Sequence, residues 1–150
     1  MEREQIIQEL IKAYAAELET VQNYLASSVN LDGVRSDVIK KSLAADIATE
    51  LMHAQQLAAR VKTIGGKVPG SLSLVREQKY LQPPDDTTDV VNVIKGVITA
   101  EESAITQYNK LIKLCDGIDY ATQDLCIEIL ADEEQHRREF IGFLKEYEKK

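Results

Sequence analysis

The chain has two histidines, and each closes the same short pattern: Glu50-Leu51-Met52-His53 and Glu133-Glu134-Gln135-His136. On a helix, a Glu three residues before a His shares its face, so each pattern aims a carboxylate and an imidazole at one point. Two further acids stand in register with them. Glu17 precedes Tyr24 by seven residues, and Glu101 precedes Tyr108 by seven. Glu17 lies 33 positions before Glu50 (50 − 17), and Glu101 lies 32 before Glu133 (133 − 101). The spacing reads as one helical hairpin written twice, its halves related by a pseudo-two-fold axis.

Each of the four acids interrupts an apolar stripe at heptad spacing. The stripes are Leu10, Glu17, Tyr24; Leu43, Glu50, Leu57, Ile64; Ile94, Glu101, Tyr108, Cys115; and Cys126, Glu133, Phe140, Tyr147. The carboxylates therefore point inward, where an isolated charge is very costly and must be protonated, paired or bound to metal. No Lys or Arg lies in the stripes to pair them. Four carboxylates and two neutral imidazoles balance two divalent cations. An oxygen-rich donor set with two His suits iron, with manganese as the alternative, better than the sulfur-rich structural sites of zinc. Two ions held close together need bridging carboxylates. Glu50 and Glu133 are the expected bridges, Glu17 and Glu101 the terminal ligands, and His53 and His136 bind one ion each. Glu19, Glu102 and Glu134 are assigned to the solvated face, because only Glu17 and Glu101 share the seven-residue step to a Tyr. Tyr24 and Tyr108 can hydrogen-bond a ligand or donate an electron, although packing alone explains them about as well.

The elements that must hold these groups are helices. Abundant Ala, Leu, Ile, Glu, Lys and Gln, with 5% aromatics, seven Gly and three Pro, predict an all-α protein. Apolar residues recurring with a 3.6 period predict helices over about 2–30, 37–64, 88–115 and 120–147. Ser36 is an expected N-cap, Asp86, Thr87 and Thr88 offer caps to the third helix, and Gly65-Gly66 closes the second. Residues 65–88 hold all three prolines and no sustained period. Short loops make the first two helices one antiparallel hairpin and the last two another, while the connection between the hairpins must travel the length of the bundle. It can: a helix of about 28 residues is roughly 42 Å long, and some 22 extended residues reach about 70 Å. The expectation is a single domain over 1–150, a four-helix bundle with one long crossover.

Composition narrows the partners. The formal charge of -7 and the pI near 4.9 disfavour nucleic acid and anionic membrane surfaces, which require basic patches, and favour cations. No apolar run approaches a membrane span and no signal-peptide pattern opens the chain, so a cytoplasmic location is expected. Cys115 and Cys126 match no zinc pattern and are read as core thiols rather than as a redox pair.

With these residues in view, the chain resembles the bacterioferritins over nearly its whole length. Ile127-Glu128-Ile129-Leu130-Ala131-Asp132-Glu133-Glu134-Gln135-His136 is similar to their fourth-helix segment, and Glu17-Leu18 through Asn23-Tyr24 to their first-helix ligand segment. A Glu from each of two helices plus Glu-x-x-His from the other two is the signature of ferritin-like di-iron bundles. The resemblance implies a ferritin-like bundle with two Fe ions per subunit. It also implies oxidation of Fe(II) by O2 or H2O2 and storage of the ferric product in a homo-oligomeric shell of twelve or twenty-four copies. The alternative within the same superfamily is a di-iron or di-manganese peroxidase or oxidase that stores nothing. One departure concerns haem. The family's haem-ligating Met directly follows the Glu of the first Glu-x-x-His, where this chain has Leu51, with Met52 one step later, so haem is not expected. The chain also lacks the Cys-x-x-Cys module of rubrerythrins and has Ala104 where they carry an extra Glu. The DNA-protecting mini-ferritins build their site between subunits, whereas here all six ligands fall within one bundle.

Overall fold

The computed structural model describes residues 2–149. Four helices carry the architecture: α1 (Glu2–Asn30), α2 (Asp37–Thr63), α3 (Val90–Cys115) and α4 (Tyr120–Tyr147). The described residues contain no strand. α1 packs along α2 and α3 along α4, the two antiparallel hairpins expected from the short loops.

The helix ends show which local signals decided the boundaries. Gly65 adopts φ +95, and the Gly65 and Gly66 amides return to the carbonyls of Lys62 and Val61, closing α2 as a left-handed glycine allows. Ser36 occupies the cap position of α2 without capping it. Its hydroxyl donates to the Asp32 carbonyl (2.8 Å), and α2 is reached through a 3-10 turn over Val34–Ser36. The expected caps of the third helix are corrected too. Asp89 caps α3 by accepting from the Asn92 amide, while Asp86 accepts from the amide and hydroxyl of Thr88 in the preceding turn.

The core is divided. Ile6, Leu10, Leu57, Val61, Leu111 and Ile129 form one apolar cluster. Tyr24, Ile39, Leu43, Ile94, Val97 and Phe140 form a second. The heptad stripes run from one cluster to the other, and at the middle of each stands a buried acid, Glu17, Glu50, Glu101 or Glu133. The fold is thus two apolar plugs separated by an acid layer. The apolar period of the first two helices extends past what the core uses, leaving Leu25, Val29 and Val38 exposed.

The crossover lies against α1 and α3. Both Glu19 carboxylate oxygens accept backbone amides of the crossover, from Glu77 and Gln78, at 2.9 Å each. The buried Gln78 side chain donates to Thr20 Oγ1 (2.7 Å) and accepts from Asn23 Nδ2 (3.0 Å). Glu19 is therefore a buried fastening, not the solvated acid expected from its position. On the opposite side the crossover touches α3 so closely at Gly96 that a Cβ there would lie 2.5 Å from the Tyr80 carbonyl oxygen. Only glycine admits that approach.

Candidate metal centre

The acid layer brings together all six residues expected as metal ligands, in two overlapping groups. Glu17, Glu50, His53 and Glu133 form the first, and Glu50, Glu101, Glu133 and His136 the second. Within each group one ligand-type atom per residue lies within 4.8 Å of the others. Glu50 and Glu133 belong to both groups; Glu17 and Glu101 each belong to one. His53 Nδ1 stands 3.1 Å from Glu133 and 3.7 Å from both Glu17 and Glu50. His136 Nδ1 stands 3.2 Å from Glu50 and 3.8 Å from Glu101.

These contacts are close without being satisfied. Glu17 Oε2, Glu50 Oε1, Glu101 Oε2, Glu133 Oε1, His53 Nδ1 and His136 Nδ1 are all buried and form no aligned hydrogen bond. Buried polar atoms are nearly always paired, and one orphan from every member of a six-residue set, all facing a common centre, is the pattern of ligands awaiting cations. The donor set of carboxylate oxygens and imidazole nitrogens fits iron or manganese, so the residues present pass the chemical test for such a centre.

Without a cation the layer must share protons. Burial first, and the neighbouring Glu17 charge second, push Glu50 well above the usual carboxylate range and Glu133 up to about 8. Glu101 is also raised, by burial and by Glu133. Glu17 moves the other way: burial opposes its charge, but its close neighbours Glu50 and His53 and the hydrogen bond from Tyr108 outweigh it. His53 is raised despite its burial, because Glu133, Glu17 and Glu50 all favour its cation. A pair of divalent cations would replace these protons.

Both tyrosines cross the pseudo-two-fold axis. Tyr24 Oη donates to Glu101 (2.8 Å), and Tyr108 Oη donates to Glu17 (2.6 Å), so each hairpin's Tyr holds the other hairpin's unshared acid. Burial and the surrounding carboxylates push both phenols well above their usual range, which keeps them neutral donors.

Two carboxylates beside the centre were missed in the sequence. Asp132 Oδ2 lies 2.8 Å from His53 Nε2, fixing the ring so that Nδ1 faces inward. Asp46 stands opposite His136 but farther off, at 3.7 Å, and burial pushes it up to about 6. Asp46 is four residues before Glu50, one helical turn, so an i, i+4 search outward from the ligands would have found it. Asp132 is adjacent to Glu133 and lies off the stripes. Leu51 and Met52 are both exposed on α2. Cys115 and Cys126 are buried free thiols, pushed up to about 11 and about 12 chiefly by burial, in keeping with inert core residues.

Known proteins match the chain to different degrees. The chain is 29% identical over 143 residues to the "DNA protection during starvation protein" of Pyrococcus furiosus, covering 91% of this chain and 75% of that protein. It is 26% identical over 133 residues to the bacterioferritin of Desulfovibrio desulfuricans, covering 87% and 69%. Among solved structures, a ferritin-like di-iron-carboxylate protein of Bacillus anthracis superposes with a TM-score of 0.84 at 21% identity, over 96% of this chain and 98% of that one. The dodecameric thioferritin of Bacteroides fragilis, a bacterioferritin-related protein, superposes with a TM-score of 0.83 at 22% identity, over 97% and 87%. At these identities the two structures establish the bundle, and the sequence match is what extends beyond it. Residues 7–149, which include all six candidate ligands of the acid layer, match the ferritin-like domain, and the chain belongs to that family.

Proposed function

We propose that the acid layer holds two iron ions and oxidises Fe(II) with O2 or H2O2, and that copies of the chain form a shell that retains the ferric product. The observation carrying this reading is the set of six orphaned buried atoms, one from each of Glu17, Glu50, His53, Glu101, Glu133 and His136. Glu50 and Glu133 would bridge the two ions, since they alone belong to both groups. Glu17 with His53, and Glu101 with His136, would complete one position each. Two iron ions side by side supply two electrons to one oxidant molecule in a single encounter. The chain's own groups hold the ions and neutralise their charge. Tyr24 and Tyr108 orient the unshared acids and stand close enough to serve as auxiliary electron donors. The bacterioferritin match and the dodecameric neighbour support storage in a homo-oligomer.

Anaerobic Fe(II) titration of native-size protein followed by O2 tests the reading. Saturation at about two Fe(II) per chain, followed by uptake far beyond that in a large particle, is the expected result. Oxidation without further uptake would leave a non-storing oxidase or peroxidase, and absence of binding would remove the metal centre.

A further inference from the structure

A cleft of about 320 Å³ opens between α1 and α3 beneath the crossover and runs down to the acid layer. Its floor is made by Glu17, Glu50, Glu101, Glu133 and Tyr108. Four alanines line its walls alongside Ile11, Leu74, Val75 and Tyr80: Ala13 and Ala100 are buried, Ala104 is half-buried, and Ala16 lies at the open mouth. A water molecule occupies about 30 Å³ in the liquid, and pockets for organic ligands begin at about 300 Å³. Dioxygen or hydrogen peroxide needs far less room than the cleft provides.

The cleft is also poorly built for collecting cations. Above the floor only two acids line it, Glu19 and Glu77. Both oxygens of Glu19 are committed to the crossover amides, and Glu77 shares the mouth with Lys12. The side of the centre bearing the histidines differs, because there Asp46 and Asp132 stand directly beside the ligands. Carboxylates thus flank the centre on the histidine side, whereas a neutral molecule with an apolar group meets alanines in the cleft.

We infer that the α1–α3 cleft is a binding site for a small organic hydroperoxide, its apolar group lying against Ala13, Ala16, Ala100 and Ala104 and its O–O group reaching the acid layer. The inference rests on the iron-oxidation reading for its electrons. Two Fe(II) are oxidised to two Fe(III), the O–O bond breaks, and with two protons from water ROOH becomes ROH and H2O. The alcohol leaves by the same cleft.

The test uses cumene hydroperoxide and its product, 2-phenylpropan-2-ol, with full-length protein. Saturation-transfer NMR of the alcohol on the metal-free protein is expected to show binding that weakens at least tenfold in Ala104→Leu and in Ala16→Leu. With Fe(II) supplied, both substitutions are expected to slow oxidation by cumene hydroperoxide at least tenfold and oxidation by H2O2 less than twofold. Ala16 is at the exposed mouth, so Ala16→Leu carries the test if the half-buried Ala104→Leu fails to fold. No alcohol binding by the wild type, equal binding by folded variants, or equal slowing with both oxidants would overturn the inference. Slowed anaerobic Fe(II) uptake in the variants would also overturn it, by making the cleft a cation path. A protein that binds the alcohol but no Fe(II) would instead overturn the iron reading, leaving the cleft a ligand site without that chemistry.

Discussion

The two ligand groups of the acid layer are nearly identical in composition and unequal in surroundings. Around His53 everything is closed: the ring is fully buried, and Asp132 holds its outer nitrogen at 2.8 Å. Around His136 the side chain is 13% exposed, and Asp46 stands 3.7 Å away, beyond hydrogen-bond reach. The repeat therefore duplicates the donors without duplicating their support. A position whose imidazole is locked by a carboxylate binds its ion more tightly, and one with a freer ring exchanges it more readily. We expect the His53 position to fill first and the His136 position to be the exchanging one.

The largest effect that would test this comparison is at the shared acids. Glu50→Ala or Glu133→Ala removes a ligand from both groups and is expected to abolish binding of the pair, whereas Glu17→Ala or Glu101→Ala leaves one ion bound; anaerobic Co(II) titration separates the two results. Equal loss in all four variants would show that the groups do not act as two positions.

Protons provide the next test. The raised Glu133 keeps its proton in the folded metal-free protein at pH values where the unfolded chain has lost it, from its ordinary value of 4.5 up to about 8. The folded state thus binds more protons in that window, and stability falls as pH rises, by about 1.4 kcal/mol per pH unit for each extra proton. Raised Glu50 and Glu101 act in the same sense above their ordinary range, as does His53 above pH 6.5. Melting of metal-free protein between pH 5 and 8 should show a falling Tm, and metal should flatten the slope. A Tm that rises over this range would contradict the proton-sharing layer.

Smaller effects distinguish the two positions. Asp132→Asn is expected to weaken the tighter Co(II) site by about 10- to 100-fold, and Asp46→Asn to change the weaker site less. Similar losses from both substitutions would mean that exposure, not the carboxylate, sets the difference. Tyr108→Phe leaves a buried acceptor of Glu17 unpaired and should lower metal-free stability by about 1–3 kcal/mol. Tyr24→Phe should act alike through Glu101, and denaturant melts would compare them.

Much of this was legible before the structure. Heptad spacing placed Glu17, Glu50, Glu101 and Glu133 inward, and a period of 3.6 found all four helices, because both signals are repeated along an element. What escaped detection was not periodic. Glu19 and Gln78 are buried by the crossover, whose path is set by individual hydrogen bonds and by the close approach at Gly96, and no pattern in residues 65–88 announces either. Asp132 received no role in the sequence, since its contact is with a histidine 79 positions away. The caps of α3 were misjudged by a few residues because Asp86, Thr87, Thr88 and Asp89 are all chemically able to cap, and the turn geometry chose among them.

The division of ligands between the hairpins has a consequence for assembly. The α1–α2 hairpin contributes Glu17, Glu50 and His53, the α3–α4 hairpin Glu101, Glu133 and His136, and each ligand group draws on both. The crossover joining them is fully exposed at Leu72, before its fastening at Glu77 and Gln78. A cut there yields two hairpin fragments, each with half of the coordination and one face of each apolar plug. The metal ions would then act as a cross-link between separate chains, added to the apolar plugs and the Glu19 bonds, and chelating them is expected to weaken the association of the fragments.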